Sequence, residues 1–494
     1  MKRKLITLTS PKGGRAWLAR SLGTALLAGL LGQSHSVGAE DATGFWFDHF
    51  KLTLERGERT EAAGPFYYSQ QSDSNTVWAI PPFYSHFVAP GVEHSEDDVL
   101  YPLFTRVHYG QQRRWQLFEL LNASSSLNPD GSTPRQFTVF PFYFQQRAAD
   151  TNLNYTAVLP FYGRLKNRLF RDEIRFIMLP AYVQTRKRDL VTDNYFYPLV
   201  DVHHGDGREG WQCWPFAGHD HKVVTTQTNG YGEVSVIPGH DWSFYMWPLV
   251  LRQDNGIGSG ATETFRASLP FYAASRSPRR DSTSVLWPVF NVIDDRANKY
   301  HEWEGPWPLV VFARGEGRQT SRVWPLFSES HTATKEMEAY AWPVYTCSRS
   351  QTGPADQRRT RVLYYLYSRL ALKNTETGKE RIRLDIWPFF TWHRGFNDQE
   401  RLQVLAPLEP FVPDHPRIER NWSPLWSVWR AEDDPRTGAH SRSLLWNLYR
   451  KDVTPGHEKV SALFGLYQRE VLVGKRSVRW FYLSPRSPAN PRQP

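Results

Sequence analysis

The stretch Ile382-Arg383-Leu384-Asp385-Ile386-Trp387-Pro388-Phe389-Phe390-Thr391-Trp392-His393-Arg394 decides how this chain is read. Taken as an extended strand, it places Ile382, Leu384, Ile386, Pro388, Phe390 and Trp392 on one face. Arg383, Asp385, Trp387, Phe389, Thr391 and His393 fall on the other. The first face is apolar throughout, the second only at its centre. One suits lipid or a dry core; the other suits a lumen or groove with polar ends. Glu173–Val183 repeats the pattern, with Ile174, Phe176, Met178, Pro180 and Tyr182 opposite Glu173, Arg175, Ile177, Leu179, Ala181 and Val183.

The phrase at the centre, apolar or aromatic residues around a proline, recurs along the chain. Other copies are Ile80-Pro81-Pro82-Phe83-Tyr84, Leu159-Pro160-Phe161-Tyr162, Trp287-Pro288-Val289-Phe290 and Trp324-Pro325-Leu326-Phe327. Degenerate copies such as Leu363-Tyr364-Tyr365-Leu366-Tyr367 lack the proline. Most spacings are about 20 residues, the mark of a repeat architecture. Pro215 to Pro248 spans 33 residues, room for an extra hairpin or a long loop. Each unit joins an apolar stretch of about eight to ten residues to a polar loop such as Asp294–Lys299 or Asn374–Lys379. A proline inside every apolar segment would break a helix at each repeat.

The sequence therefore reads as all-β: a large up-and-down antiparallel meander of 20-residue strand-turn repeats. The expected form is a closed outer-membrane-type β-barrel of about 22–24 transmembrane strands. A soluble β-solenoid, groove or propeller-like array is the alternative. Three features sit awkwardly with a barrel. Proline cannot donate to a ladder, so a shared bulge would be needed in mid-strand. Barrel aromatics form girdles at the rims, whereas here they accompany the proline. Loop lengths show no alternation between two sides.

The domain organisation is a signal peptide over 1–39, one β-repeat domain over 40–483 and a Pro-rich tail over 484–494. The leader carries Lys2, Arg3, Lys4, Lys12, Arg15 and Arg20, an apolar stretch Leu22–Leu31, and Val37-Gly38-Ala39 before the expected cut. Removing its six basic residues from 60 leaves 54 against 50 Asp and Glu, so the basic pI is partly the leader's. No nucleic-acid partner is expected. Expected partners are outer-membrane lipid and an unknown small solute or lipid cargo.

Chemistry is thinly marked. His203, His204, His219, His221 and His240 form a cluster with Asp201, Asp206, Asp220 and Asp241 nearby, residue types that hold a divalent metal. With one strand per repeat, His203 and His204 would lie at the opposite end of the sheet from His219 and His221. Gly256-Ile257-Gly258-Ser259-Gly260 reads as a hairpin loop, lacking the helix and Lys-Ser/Thr of a phosphate loop. Arg113-Arg114, Arg186-Lys187-Arg188, Arg279-Arg280 and Arg358-Arg359 read as solvated strand ends that could meet anionic head groups. Cys213 and Cys347 fall on distant repeats and are not expected as neighbours. No nucleophile elbow or His-Glu-x-x-His phrase is present, and no cofactor or enzymatic activity is expected. The functional expectation is an exported outer-membrane protein for solute or lipid passage, or with a structural envelope role. The alternative is a periplasmic or secreted module binding a glycan or protein.

Overall fold

A computed structural model describes residues 47–126, 133–228 and 233–481. The leader and the Pro-rich tail lie outside the described residues. Within them the chain is almost entirely strand. Forty-two strands form one antiparallel sheet, and two more form a separate hairpin. Each strand pairs with its neighbours in the chain. The exception is Ala217–Lys222, which pairs with Gly239–Tyr245 across the extra hairpin Thr225–Thr228 and Val234–Ile237. That hairpin fills the long Pro215–Pro248 interval.

The meander is as expected, but the strand number is not. Strands are four to eight residues long, and each 20-residue period holds two of them. The proline lies in the turn between the two. In the opening stretch, Glu380–Ile386 and Phe390–Arg394 are separate strands, and Trp387-Pro388-Phe389 turns the chain. The physical reason is the missing amide hydrogen: a ladder cannot accommodate proline in mid-strand, while a tight turn can. Fifteen X–Pro bonds among the described residues are cis, most of them in these turns.

The turns are themselves hydrogen-bonded. Leu103 donates to the Leu100 carbonyl at 2.9 Å within its own turn, and Leu199 to Phe196 at 2.9 Å. Each turn also donates to the one before: Phe118 to Leu103 at 2.8 Å, Phe196 to Ala181 at 2.8 Å, Trp324 to Leu309 at 2.8 Å. The ladder thus continues past the strand ends, and the backbone groups of the turns are satisfied. In the four-residue turns the first residue takes a left-handed conformation, as at Leu100 (φ 43), Met178 (φ 48) and Leu286 (φ 49). Bulky side chains rarely accept that region, so hydrogen bonding and packing must hold it there.

Registers carry one face through the whole sheet. Asp48, Tyr68, Ala79, Ser85, Asp98, Phe176, Val183, Phe244, Ala273, Gln403 and Ser461 lie on it and are buried. The opposite face stays open. Turn length decides which residues share a face. The three-residue turn at 387–389 keeps Ile386 opposite Phe390, as alternation predicts. The four-residue turn at 178–181 shifts the count, so Phe176 faces Val183 and not Tyr182. The expected apolar set Ile382, Leu384 and Ile386 is half-buried on the open face, while Arg383 and Asp385 are buried. Apolar clusters on the buried face are small, and glycines make room for aromatic rings: a side chain at Gly218 would collide with Phe244.

No ladder joins the first described strand, Phe47–Lys51, to the last, Lys475–Trp480; each pairs on one side only. Segments towards the two ends of the sheet meet through side chains instead. Between Glu400–Val404 and Trp429–Asp434 the chain forms two short helices, Pro416–Asn421 and Ser423–Trp426. Arg420 donates to Glu96 at 2.6 Å, Asp98 at 2.7 Å and Ser85 at 3.2 Å. Tyr68 donates to the Arg420 carbonyl at 2.9 Å, and the Trp422 indole to Tyr101 at 2.9 Å. The Arg450 guanidinium lies over the Phe50 ring. Burial pushes Asp48 up to about 6, against the pull of Arg450 and Lys459.

Two substitutions check this assignment by chemical denaturation. Phe244→Ala, on the buried face, is expected to cost about 3–5 kcal/mol, whereas Phe271→Ala, in a turn, should stay within about 0.5 kcal/mol. Arg420→Ala removes the nearer of the two cations beside buried Asp98, leaving Arg417 at 3.7 Å, and is expected to cost about 3 kcal/mol.

Candidate functional site

Because the turns of the recurring apolar–aromatic phrase all close the same end of a strand pair, their residues gather along one edge of the sheet, whereas Pro90, Pro278, Pro354, Pro435 and Pro455 lie in turns of the other edge. Their side chains are in water: Phe83 is 58% exposed, Phe118 63%, Phe161 60%, Phe216 60% and Phe271 70%. Indoles and phenols continue along the edge, with Trp324 and Trp342 at 5.5 Å and Trp342 and Tyr364 at 5.4 Å between centroids. The first row on the open face is apolar as well. At many turns the chain enters on an aliphatic residue and leaves on an aromatic one, directly opposite: Ile80 with Tyr84, Val99 with Phe104, Val139 with Tyr143, Val285 with Phe290, Val362 with Tyr367; at Tyr195 with Val200 and Tyr245 with Val250 the order is reversed. Such pairs are favourable across antiparallel strands.

The other edge is largely polar, with Leu169, Phe170 and Val473 as exposed apolar exceptions. Its turns carry Asp206-Gly207, Glu316-Gly317, Asn374–Gly378 and Asp398. The Gly-rich loop at 256–260 belongs to this edge, joining Val250–Ile257 to Glu263–Ser268, as expected. The sheet is therefore amphipathic along its strands. The aromatics do form a rim, which corrects their sequence-level placement in mid-strand, and the two sides differ in turn chemistry. The mid-strand placement arose because the prolines were put in the middle of strands.

The five histidines are divided by the sheet. His203 and His240 lie on the buried face; His204, His219 and His221 lie on the open one. His203 and His204 are not at the far end from His219 and His221. Two strands per repeat bring them to the same end, with Gly210 between His203 and Asp220 in register. A side chain at Gly210 would collide with the His203 ring, so glycine opens the gap that His203 spans. The hub is Asp220. It accepts from His203 Nε2 at 2.9 Å, His240 Nε2 at 2.9 Å, Arg208 Nε at 2.8 Å and Arg208 Nη2 at 2.6 Å. His203 Nδ1 donates to Asp201 at 3.0 Å. On the open face His221 donates to Asp241 at 3.2 Å. Among the described residues no three His, Cys, Asp or Glu side chains are grouped to hold a metal ion. Cys213 and Cys347 are free thiols on separate strands.

The Asp220 network is internally satisfied. Burial acts to raise the Asp220 pKa, but the donors from His203, Arg208 and His240 overcome it and hold the carboxyl well below its usual range. The hydrogen bonds to Asp201 and then Asp220 lift His203 to about 9. Strand alternation already separates His203 from His204 and Asp220 from its neighbours. Arg208 and Gly210 emerge only from the register. No protein-family model and no curated protein matches this chain.

A raised histidine stabilises the fold in its protonated form. The His203 contribution is therefore complete below about pH 6.5 and is lost as pH rises through about 9. An NMR titration should place the His203 midpoint near 9. His203→Gln should remove the matching decline in stability between pH 7 and 10.

Proposed function

We propose that this is a non-enzymatic protein of the outer membrane whose aromatic rim seats in a bilayer leaflet, with a lipid-handling or structural role in the envelope. The observation that carries this reading is the continuous row of exposed aromatic turns on one edge. Each exposed ring leaves on the order of 100 Å² in water, so the row far exceeds the few hundred Å² that a monomer ordinarily exposes. Aromatic residues concentrate where protein crosses from water to lipid. The export leader expected over 1–39 agrees with that address.

Depth follows from strand length. Four to eight residues span roughly 13–26 Å, less than the ~30 Å hydrocarbon core that a transmembrane strand must cross. The turns and most of the first open-face row are apolar, and Trp78, Trp115, Trp211 and Phe312 extend that surface into the second row. The reading is therefore of a sheet standing with one edge in the lipid, and it does not need the pore expected of a spanning barrel.

Vesicle flotation tests it. The mature chain should float with phosphatidylcholine vesicles and remain with washed cell membranes. Replacing Phe83, Phe161, Phe216 and Phe271 together with Ser should lower partitioning at least tenfold while circular dichroism stays unchanged. A chain that leaves washed membranes without detergent, or a variant that floats as well as the parent, would favour a soluble periplasmic or secreted binding module.

A further inference from the structure

We propose that the open face just above the rim binds the phosphate groups of an anionic lipid surface. The inference rests on the membrane-seated reading. It starts from three groups of the same composition at one height on the sheet. Arg164 and Arg175 stand directly opposite each other in register, and both bond Glu173. Arg252 and Arg266 likewise stand directly opposite each other, and both reach Asp254, at 3.9 and 2.8 Å. Lys451 and Arg469 flank Val460 from either side and share Glu458, at 3.2 and 3.3 Å.

In each group the cations occupy the second open-face row from the rim, and the shared carboxylate the third. The first row is Tyr162 and Ile177, Val250 and Ser268, or Tyr449, Ala462 and Tyr467. In the first and third groups two cations share one carboxylate, which leaves one positive charge uncompensated; in the second, Asp241 stands directly opposite Asp254 and supplies a second carboxylate. Like charges directly opposite across a ladder are destabilising, so the Arg164–Arg175 and Arg252–Arg266 pairs gain from an anion laid between them. The guanidinium groups are accessible: the four arginine side chains are 41–64% exposed. Arg164 and Arg175 reach Glu173 through Nε, which leaves their terminal nitrogens for a second acceptor. A guanidinium fork matches phosphate oxygens.

Height selects lipid as the source of the phosphate. One strand step of two residues is about 6.6 Å. With the turns and first row in the acyl region, the second row falls at the level of the head groups. The shared carboxylates of these three groups lie on the far side, towards water, while Asp97, Asp193, Glu329 and Glu338 occupy the second row elsewhere along the sheet. Three groups spread over a long sheet suit a surface of many phosphates better than one small ligand.

Flotation with phosphatidylcholine vesicles, and with vesicles containing 30% phosphatidylglycerol, separates the possibilities. The parent chain should prefer the anionic vesicles roughly tenfold at low salt, with the preference lost at high salt. Arg175→Gln with Arg252→Gln should cut that preference to about twofold while binding to neutral vesicles persists. Arg276→Gln with Arg314→Gln, at the polar edge, should leave it intact. Equal binding of the parent to both vesicles, or a preference that survives the first double variant, overturns this inference and leaves the rim reading standing. A preference lost equally in the second double variant shows general charge attraction and also overturns it. Inorganic phosphate at matched ionic strength should not erase the preference; if it does, the sites belong to free phosphate and the lipid assignment fails. Absence of binding to either vesicle overturns both readings.

Discussion

A proline has no amide hydrogen to give to a neighbouring strand. In a sheet of this length that constraint sets everything else. Every proline phrase that follows a strand is pushed out of the ladder into a turn, and the turns then donate to one another, as Phe196 does to Ala181. Since a pair of strands returns the chain to the same side, all such turns collect on one edge. The aromatic residues that accompany proline in the sequence are carried there with it. The rim and the apolar rows beside it follow from where the proline phrase cannot go.

The buried face is not a conventional core. Phe176 and Phe244 share it with Ser85, Asp98, Gln403 and Ser461. A layer of this kind is held by its ladders and by pairs across them more than by a single apolar mass. Where segments towards the two ends of the sheet approach, polar groups do the joining. Arg420 satisfies Glu96, Asp98 and Ser85 together, which makes the seam demanding in geometry, since each partner is costly to leave unpaired.

The architecture was legible in part. Apolar segments between polar turns gave the all-β meander, and the 33-residue interval gave the extra hairpin. Strand number was not legible, because a segment such as Ile382–Arg394 keeps unbroken alternation through its three-residue turn and looks like one long strand. At Glu173–Val183 the four-residue turn breaks alternation, and there the face assignment fails. The histidine cluster shows the same limit. Parity alone separates His203 from His204, but the Asp220 hub needs the register of four strands. The paired arginines were invisible for a like reason, since Arg164 and Arg175 become neighbours only once the turn at Leu169-Phe170 is known.

The alternation of the two turn types makes the ribbon a parity-bound object. Inserting one strand would send every later aromatic–proline turn to the polar edge and every Asp-Gly turn to the aromatic one. Insertions are therefore tolerable only in even numbers. Thr225–Thr228 with Val234–Ile237 is such an even insertion: it leaves the main ladder after Ala217–Lys222 and returns to it at Gly239–Tyr245 without disturbing the sidedness of anything downstream. A chain built this way can lengthen or shorten by whole hairpins and keep its wet and greasy edges apart.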